Sequence, residues 1–189
     1  MSLIDVLEDA PFRSAESALR FSYNTEARDC VKISSYLRDL RGGSVKSRSS
    51  DGPFDIHAQA AMIIALAERS LPDRQLIAIR AYYTMPNQKD LEDRKQNDCM
   101  ILAELVRDGQ SMIPFWYAVD CIREWSRLRR HHTDTWWSKR LNIHSRQLSR
   151  YHLGARNKGF VGVLPFVNEL FALAIDKMTS LMQERGLIP

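Results

Sequence analysis

Apolar residues spaced three and four apart recur through nearly every long segment of this chain, and that period leaves little room for anything but helices. Ala27, Cys30, Val31, Ile33, Tyr36, Leu37 and Leu40 predict a helix over about 26–41, and Ser14–Phe21 can start as a separate capped helix. Ile56, Ala60, Ile63, Ile64, Leu66 and Ala67 predict one from Phe54 to about Ser70, where Leu71-Pro72 stops it. Leu76, Ile77, Ile79, Ala81 and Tyr82 mark another over 73–83. Ile113, Phe115, Trp116, Val119, Ile122 and Trp125 give the inward face of a long helix over 111–130. A broad apolar face from Leu164 to Met182 predicts a last helix over about 164–185, closed by Gly186. Residues 88–98, almost all charged or amidic, fit either the solvated start of a helix continuing through Leu102 and Val106 or a loop.

The expected fold class is therefore all-α, a multi-helix bundle. Eight glycines in 189 residues are too few for a nucleotide-binding βαβ unit. The expected division is an α-helical body over 1–110 and a second domain over 111–189 that ends in the amphipathic helix. The Gly/Ser-rich stretch 41–53 reads as a flexible loop in the body, and it lacks the spacing of a phosphate-binding loop. Cys30, Cys99 and Cys121 are far apart and form no CxxC, so neither a disulfide framework nor a zinc pair is expected. Asp90, Glu92, Asp93 and Asp98 lack the ligand order of a calcium loop and read as a solvated face, and His131 and His132 as the tail of the 111–130 helix. No apolar run reaches about 18 to 20 residues, and the start MSLIDVLEDAPFR is acidic where a secretory signal is basic, so a cytoplasmic protein without a membrane partner is expected. No G-x-S-x-G, H-E-x-x-H or comparable frame occurs; the chain is not expected to be an enzyme, and no catalytic residue, metal or cofactor is assigned.

Charge is unevenly spread. Between Ile122 and Lys158 ten Lys and Arg face two acids, an excess of eight, so the net +4 of the chain leaves the remainder at −4. At the centre of this segment, within 133–156, Trp136 to Leu141 can close two helical turns and Asn142 can take a left-handed backbone. Ser145 can cap a second helix of about 145–153. On that helix Arg146, Gln147, Ser149 and Arg150 point outward while Leu148 and Tyr151 face back, a helix-turn-helix whose short polar helix suits a DNA major groove. Arg129 and Arg130, just before it, have a structural use at a helix C-terminus and an equally natural one on phosphates. Arg156 and Lys158, in the turn after it, can follow the backbone of DNA.

The run Trp137–Arg150 resembles the pattern V-A-x-x-L-G-V-S-x-x-T-V-S-R of bacterial and phage helix-turn-helix regulators. Leu141, Ile143, Leu148, Ser149 and Arg150 match in kind or identity. Asn142 replaces the turn glycine and Ser138 the small alanine; His144 replaces the capping serine, with Ser145 beside it as substitute cap. The resemblance implies that Ser145, Arg146 and Arg150 meet base edges while Gln147, Ser149, Lys139 and Arg140 hold phosphates. In a narrower analogy, the chain is similar to late-gene antiterminators of phages, which bind DNA and RNA polymerase. Leu71–Arg80 resembles the helix that opens the promoter-reading domain of bacterial sigma factors.

These readings lead to one main expectation, a sequence-specific regulator of transcription that binds double-stranded DNA and contacts RNA polymerase, of phage or mobile-element type. A homodimer through the 164–185 helix would set two recognition helices one DNA turn apart. A DNA-packaging or replication adaptor, and a purely protein-binding helical module, are the alternatives.

Overall fold

A computed structural model describes residues 11–39, 53–108, 110–155 and 160–189, with only the backbone described between 28 and 57. Residues 41–52 of the loop expected at 41–53, and Arg156 and Lys158, lie outside the described residues, while Pro53 already belongs to a helix. Within them the chain is all-helical, with no β-strand; one isolated antiparallel bridge joins Ala155 and Phe160. The helices are α1 (Ala15–Asp39), α2 (Pro53–Ser70), α3 (Asp73–Tyr83), α4 (Lys89–Asp108), α5 (Phe115–Trp125), α6 (Asp134–Leu141), α7 (Ser145–Leu153) and α8 (Val163–Glu184). No helix among the described residues is long and apolar enough to cross a membrane.

Contacts group the chain into two units. The first takes in the described parts of Met1–Leu71 with Tyr83–Glu92 and Ile175–Pro189. There α1 and α2 pack along each other. Ala15, Ala18, Leu19, Tyr23 and Ala27 of α1, and Ala60, Ile63, Leu66 and Ala67 of α2, are buried. Tyr23 stacks on Tyr83 with ring centroids 6.2 Å apart. The start of α1 is held by Ser14 and Ser17, each of which donates its backbone N–H to the other's hydroxyl (3.1 and 3.2 Å). The two helices expected over 14–21 and 26–41 are one 25-residue helix. No glycine or proline separates them, and Ser22 turns its hydroxyl back onto the Ala18 carbonyl (2.8 Å) instead of breaking the turn.

The second unit comprises Pro72–Tyr82 and Asp93–Ala174, so the division expected at residue 110 falls inside it. Leu102 and Val106 of α4, Ile113, Tyr117, Ala118 and Ile122 of or beside α5, Trp137, Leu148 and Tyr151, and Val163 and Val167 of α8 share its core. Tyr82, Trp125 and Phe171 interlock edge-on or tilted at centroid distances of 4.6 to 5.8 Å. Trp125 also donates its indole N–H to Asn168 (2.7 Å), which ties α5 to α8. Cys99 and Cys121 are buried free thiols in this core, their ionisation pushed up by burial to about 11 and about 12.

Three expectations are corrected in this unit. Residues 88–98 divide: Lys89 starts α4 with Asp90, Glu92 and Asp93 exposed, but Asp98 is wholly buried rather than part of a solvated face. It accepts two hydrogen bonds from Arg80, from Nε at 3.1 Å and Nη2 at 2.8 Å. Secondly, the long helix expected over 111–130 is confined to Phe115–Trp125, which leaves His131 and His132 outside any helix. It stops because Ser126 is buried with its carbonyl taken by the Lys95 ammonium (2.9 Å), and Arg127 goes left-handed (φ 66°) to donate to the Tyr82 hydroxyl (2.9 Å). Burial pushes that ammonium down to about 8. Thirdly, Trp116 was expected inward and is 56% exposed, while its neighbour Tyr117 takes the core position.

The apolar face of α8 is consumed within the chain: Val163, Val167, Ala174, Met178 and Met182 are buried, and Leu173 is its exposed large apolar side chain. Leu164, Leu170, Phe171, Ile175 and Leu181, on the face expected to form a homodimer seam, are partly buried.

Candidate nucleic-acid interface

Thr133 opens α6 as an N-cap, its hydroxyl accepting from the Trp136 backbone N–H (3.2 Å), with Asp134 in the first turn where the helix dipole favours an acid. Lys139 and Arg140 occupy the last turn, and both are exposed. Asn142 then adopts the left-handed conformation (φ 52°, ψ 42°) that the sequence required of it. Ser138 locks the turn from inside: its hydroxyl donates to the Ile143 carbonyl (2.7 Å), and the Ile143 N–H returns to the Ser138 carbonyl (3.1 Å).

His144, not Ser145, caps α7. Its Nδ1 accepts from the Arg146 N–H at 3.1 Å. Nδ1 lies as many bonds from the backbone as the carbonyl oxygen of an asparagine, so an imidazole with that nitrogen unprotonated reaches the same N–H. Ser145 is released to the surface as the first helical residue.

One face of α7 is buried through Leu148 and Tyr151, at 0% and 5% exposure. Tyr117 receives it from α5: its hydroxyl donates to the Leu148 carbonyl (3.0 Å), and its ring meets Tyr151 edge-on with centroids 6.4 Å apart. Burial raises the Tyr117 ionisation, so the phenol stays a donor. The pair is anchored from α6 by Trp137, whose indole N–H donates to buried Asp120 at 2.8 Å while Trp136 stays exposed. Tyr117 and Asp120 were not singled out from sequence; the available signal was a lone carboxylate within the apolar run Trp116–Ile122.

On the opposite face Ser145, Arg146, Gln147, Ser149 and Arg150 are all exposed. Arg146 and Arg150, one turn apart, border a groove of about 670 Å³ floored by Tyr151 and Phe160. Gln147 donates its amide to the Tyr151 hydroxyl (2.7 Å). No protein-family model, curated protein or solved structure matches this chain. Beyond α7, Gly154 (φ 82°) and Gly162 press backbone to backbone; a Cβ on Gly162 would lie 2.2 Å from the Gly154 nitrogen. Neither residue can carry a side chain there, and the crossing brings Phe160 back beside Tyr151 (ring centroids 6.0 Å).

Of the arginines expected to flank the site, Arg129 is exposed, but Arg130 is turned inward. Its guanidinium sits 3.0 Å from Asp134 and 3.4 Å from Glu124, and over the Tyr117 ring at 5.6 Å from its centroid. That placement pairs its charge within the chain. Burial, reinforced by Arg130, lowers the proton affinity of His152. Among the described residues no group of three His, Cys, Asp or Glu converges as a metal site.

Proposed function

We propose that α6, the Asn142 turn and α7 form a helix-turn-helix, and that the protein is a sequence-specific, double-stranded-DNA-binding regulator of transcription. One observation carries the reading: a nine-residue helix, set behind a left-handed turn, buries Leu148 and Tyr151 and holds Arg146 and Arg150 in solvent on one face. A guanidinium can hydrogen-bond guanine O6 and N7 together, which is the commonest specific contact in the major groove. In this reading Arg146, Arg150 and Ser145 meet base edges, while Lys139, Arg140, Ser149 and Arg129 hold phosphates. Gln147 serves chiefly to position Tyr151. Arg156 and Lys158 extend the phosphate contacts along the chain, and no catalytic step is involved.

The test is a competition between a selected site and single-base variants of it. Arg146→Ala and Arg150→Ala should each lower discrimination at one base pair by about 1–3 kcal/mol, whereas Lys139→Ala should weaken all sequences alike. Uniform weakening by both arginine variants would remove the base-reading assignment.

A further inference from the structure

A second concave surface lies away from the exposed face of α7. It is an open cleft of about 300 Å³ between α5 and α6, and Trp116 and Trp136, 56% and 41% exposed, stand in its walls. Trp136 is held in place: His132 stacks on it at 3.6 Å between centroids with the planes 10° apart, and the Trp137 ring meets it edge-on at 4.8 Å. Trp116 is braced edge-on by Phe115 at 5.0 Å. Arg123 and Arg140 line the same cleft. Its carboxylate, Asp120, is 4% exposed and accepts the Trp137 indole N–H, so a ligand would not touch it, and its one negative charge stands against two guanidinium groups.

Large indoles are normally buried, and two left in solvent beside guanidinium groups favour a ligand that is flat and anionic at once. A nucleobase with its phosphate meets both demands: any base has a face that stacks on an indole, and arginine binds phosphate oxygens in a fork. The volume suits one such unit.

We propose that this cleft captures one unpaired nucleotide of single-stranded DNA, with the base stacked on Trp116 and the adjoining phosphate held by Arg123 and Arg140. A duplex base is already stacked on its neighbours and cannot enter, so the site acts only where strands are open or frayed. None of the residues assigned to base reading takes part; Arg140, assigned above to a duplex phosphate, is the shared residue, so the test is placed on Trp116.

Binding of the full chain to a fluorescein-labelled twelve-residue oligothymidylate, followed by anisotropy at low salt, tests it. The comparison is an abasic oligomer of the same length and charge. The thymidylate should bind about 5- to 100-fold more tightly. Trp116→Ala should abolish that preference without changing duplex binding, and Trp116→Phe should keep most of it. Equal affinity for the abasic oligomer, or an unchanged preference in Trp116→Ala, would overturn the proposal. Thymidine monophosphate competing as well as the oligomer would assign the cleft to free nucleotides and overturn the single-strand source. Substituting Trp116 is compatible with a folded chain because the ring is more than half exposed.

Discussion

Replacing Trp137 by alanine should destabilise the second unit by about 3–5 kcal/mol, read as a lowered midpoint in urea denaturation. The ring is 6% exposed and packs edge-on against Tyr117 at 6.0 Å between centroids, so its removal leaves a cavity between α5 and α6. It also strips the indole N–H from Asp120, a side chain buried with it. Tyr117 in turn holds the Leu148 carbonyl, so α7 should loosen in the same variant and DNA affinity should fall with stability. Trp137→Phe separates the two causes. It keeps most of the volume while losing the donor and a few ring atoms, for an expected loss of about 1.5–3 kcal/mol. A loss under about 1 kcal/mol in the alanine variant would mean that Trp137 is not the anchor of the helix pair.

The second large effect belongs to Arg80 and Asp98. A fully buried carboxylate is tolerated here because a guanidinium binds both of its oxygens, so Arg80→Met strands a charge and should cost about 3–5 kcal/mol. Converting both, Arg80→Met with Asp98→Leu, should recover much of that loss. Burial already raises the Asp98 carboxyl above its ordinary value despite Arg80. Without the arginine it rises further, so the folded state holds a proton that the unfolded state has released. The contribution is present at low pH and lost as pH rises through the folded-state value. The cost of Arg80→Met should accordingly be smaller at pH 4 than at pH 7, and a cost independent of pH would contradict the buried-carboxylate account.

How far the sequence was legible differs from residue to residue, for physical reasons. Asn142, Leu148 and Tyr151 were legible because backbone strain and helical period are local properties, carried by the residues that show them. The His144 cap was obscured by statistics: histidine is a rare cap beside serine, yet its Nδ1 meets the geometric requirement. The end of α5 at Ser126 and Arg127 was not legible at all, since the groups that stop it, Lys95 and Tyr82, are 31 and 45 residues away. Asp98 looked like a surface charge for the same reason, its partner Arg80 being 18 residues away. Arg130 pairs with Asp134 four residues on, but the Tyr117 ring it lies over is placed by packing, and nothing in a charge run distinguishes a paired member from a solvated one. Trp116 and Tyr117 show the limit of period alone: adjacent aromatics on a short helix trade faces with a small change in its phase.

Salt dependence of affinity for a site selected from genomic fragments tests the central claim most directly. If Lys139, Arg140 and Arg129 neutralise phosphates together with Arg156 and Lys158, log K should fall linearly with log salt. The slope should be about −4 to −5 between 50 and 200 mM. The selected site should stay about a thousandfold or more tighter than a scrambled duplex measured at the same salt. Absence of duplex retention at low salt, or equal affinity for selected and scrambled sequences throughout, would contradict the assignment of α7 as a helix that reads DNA.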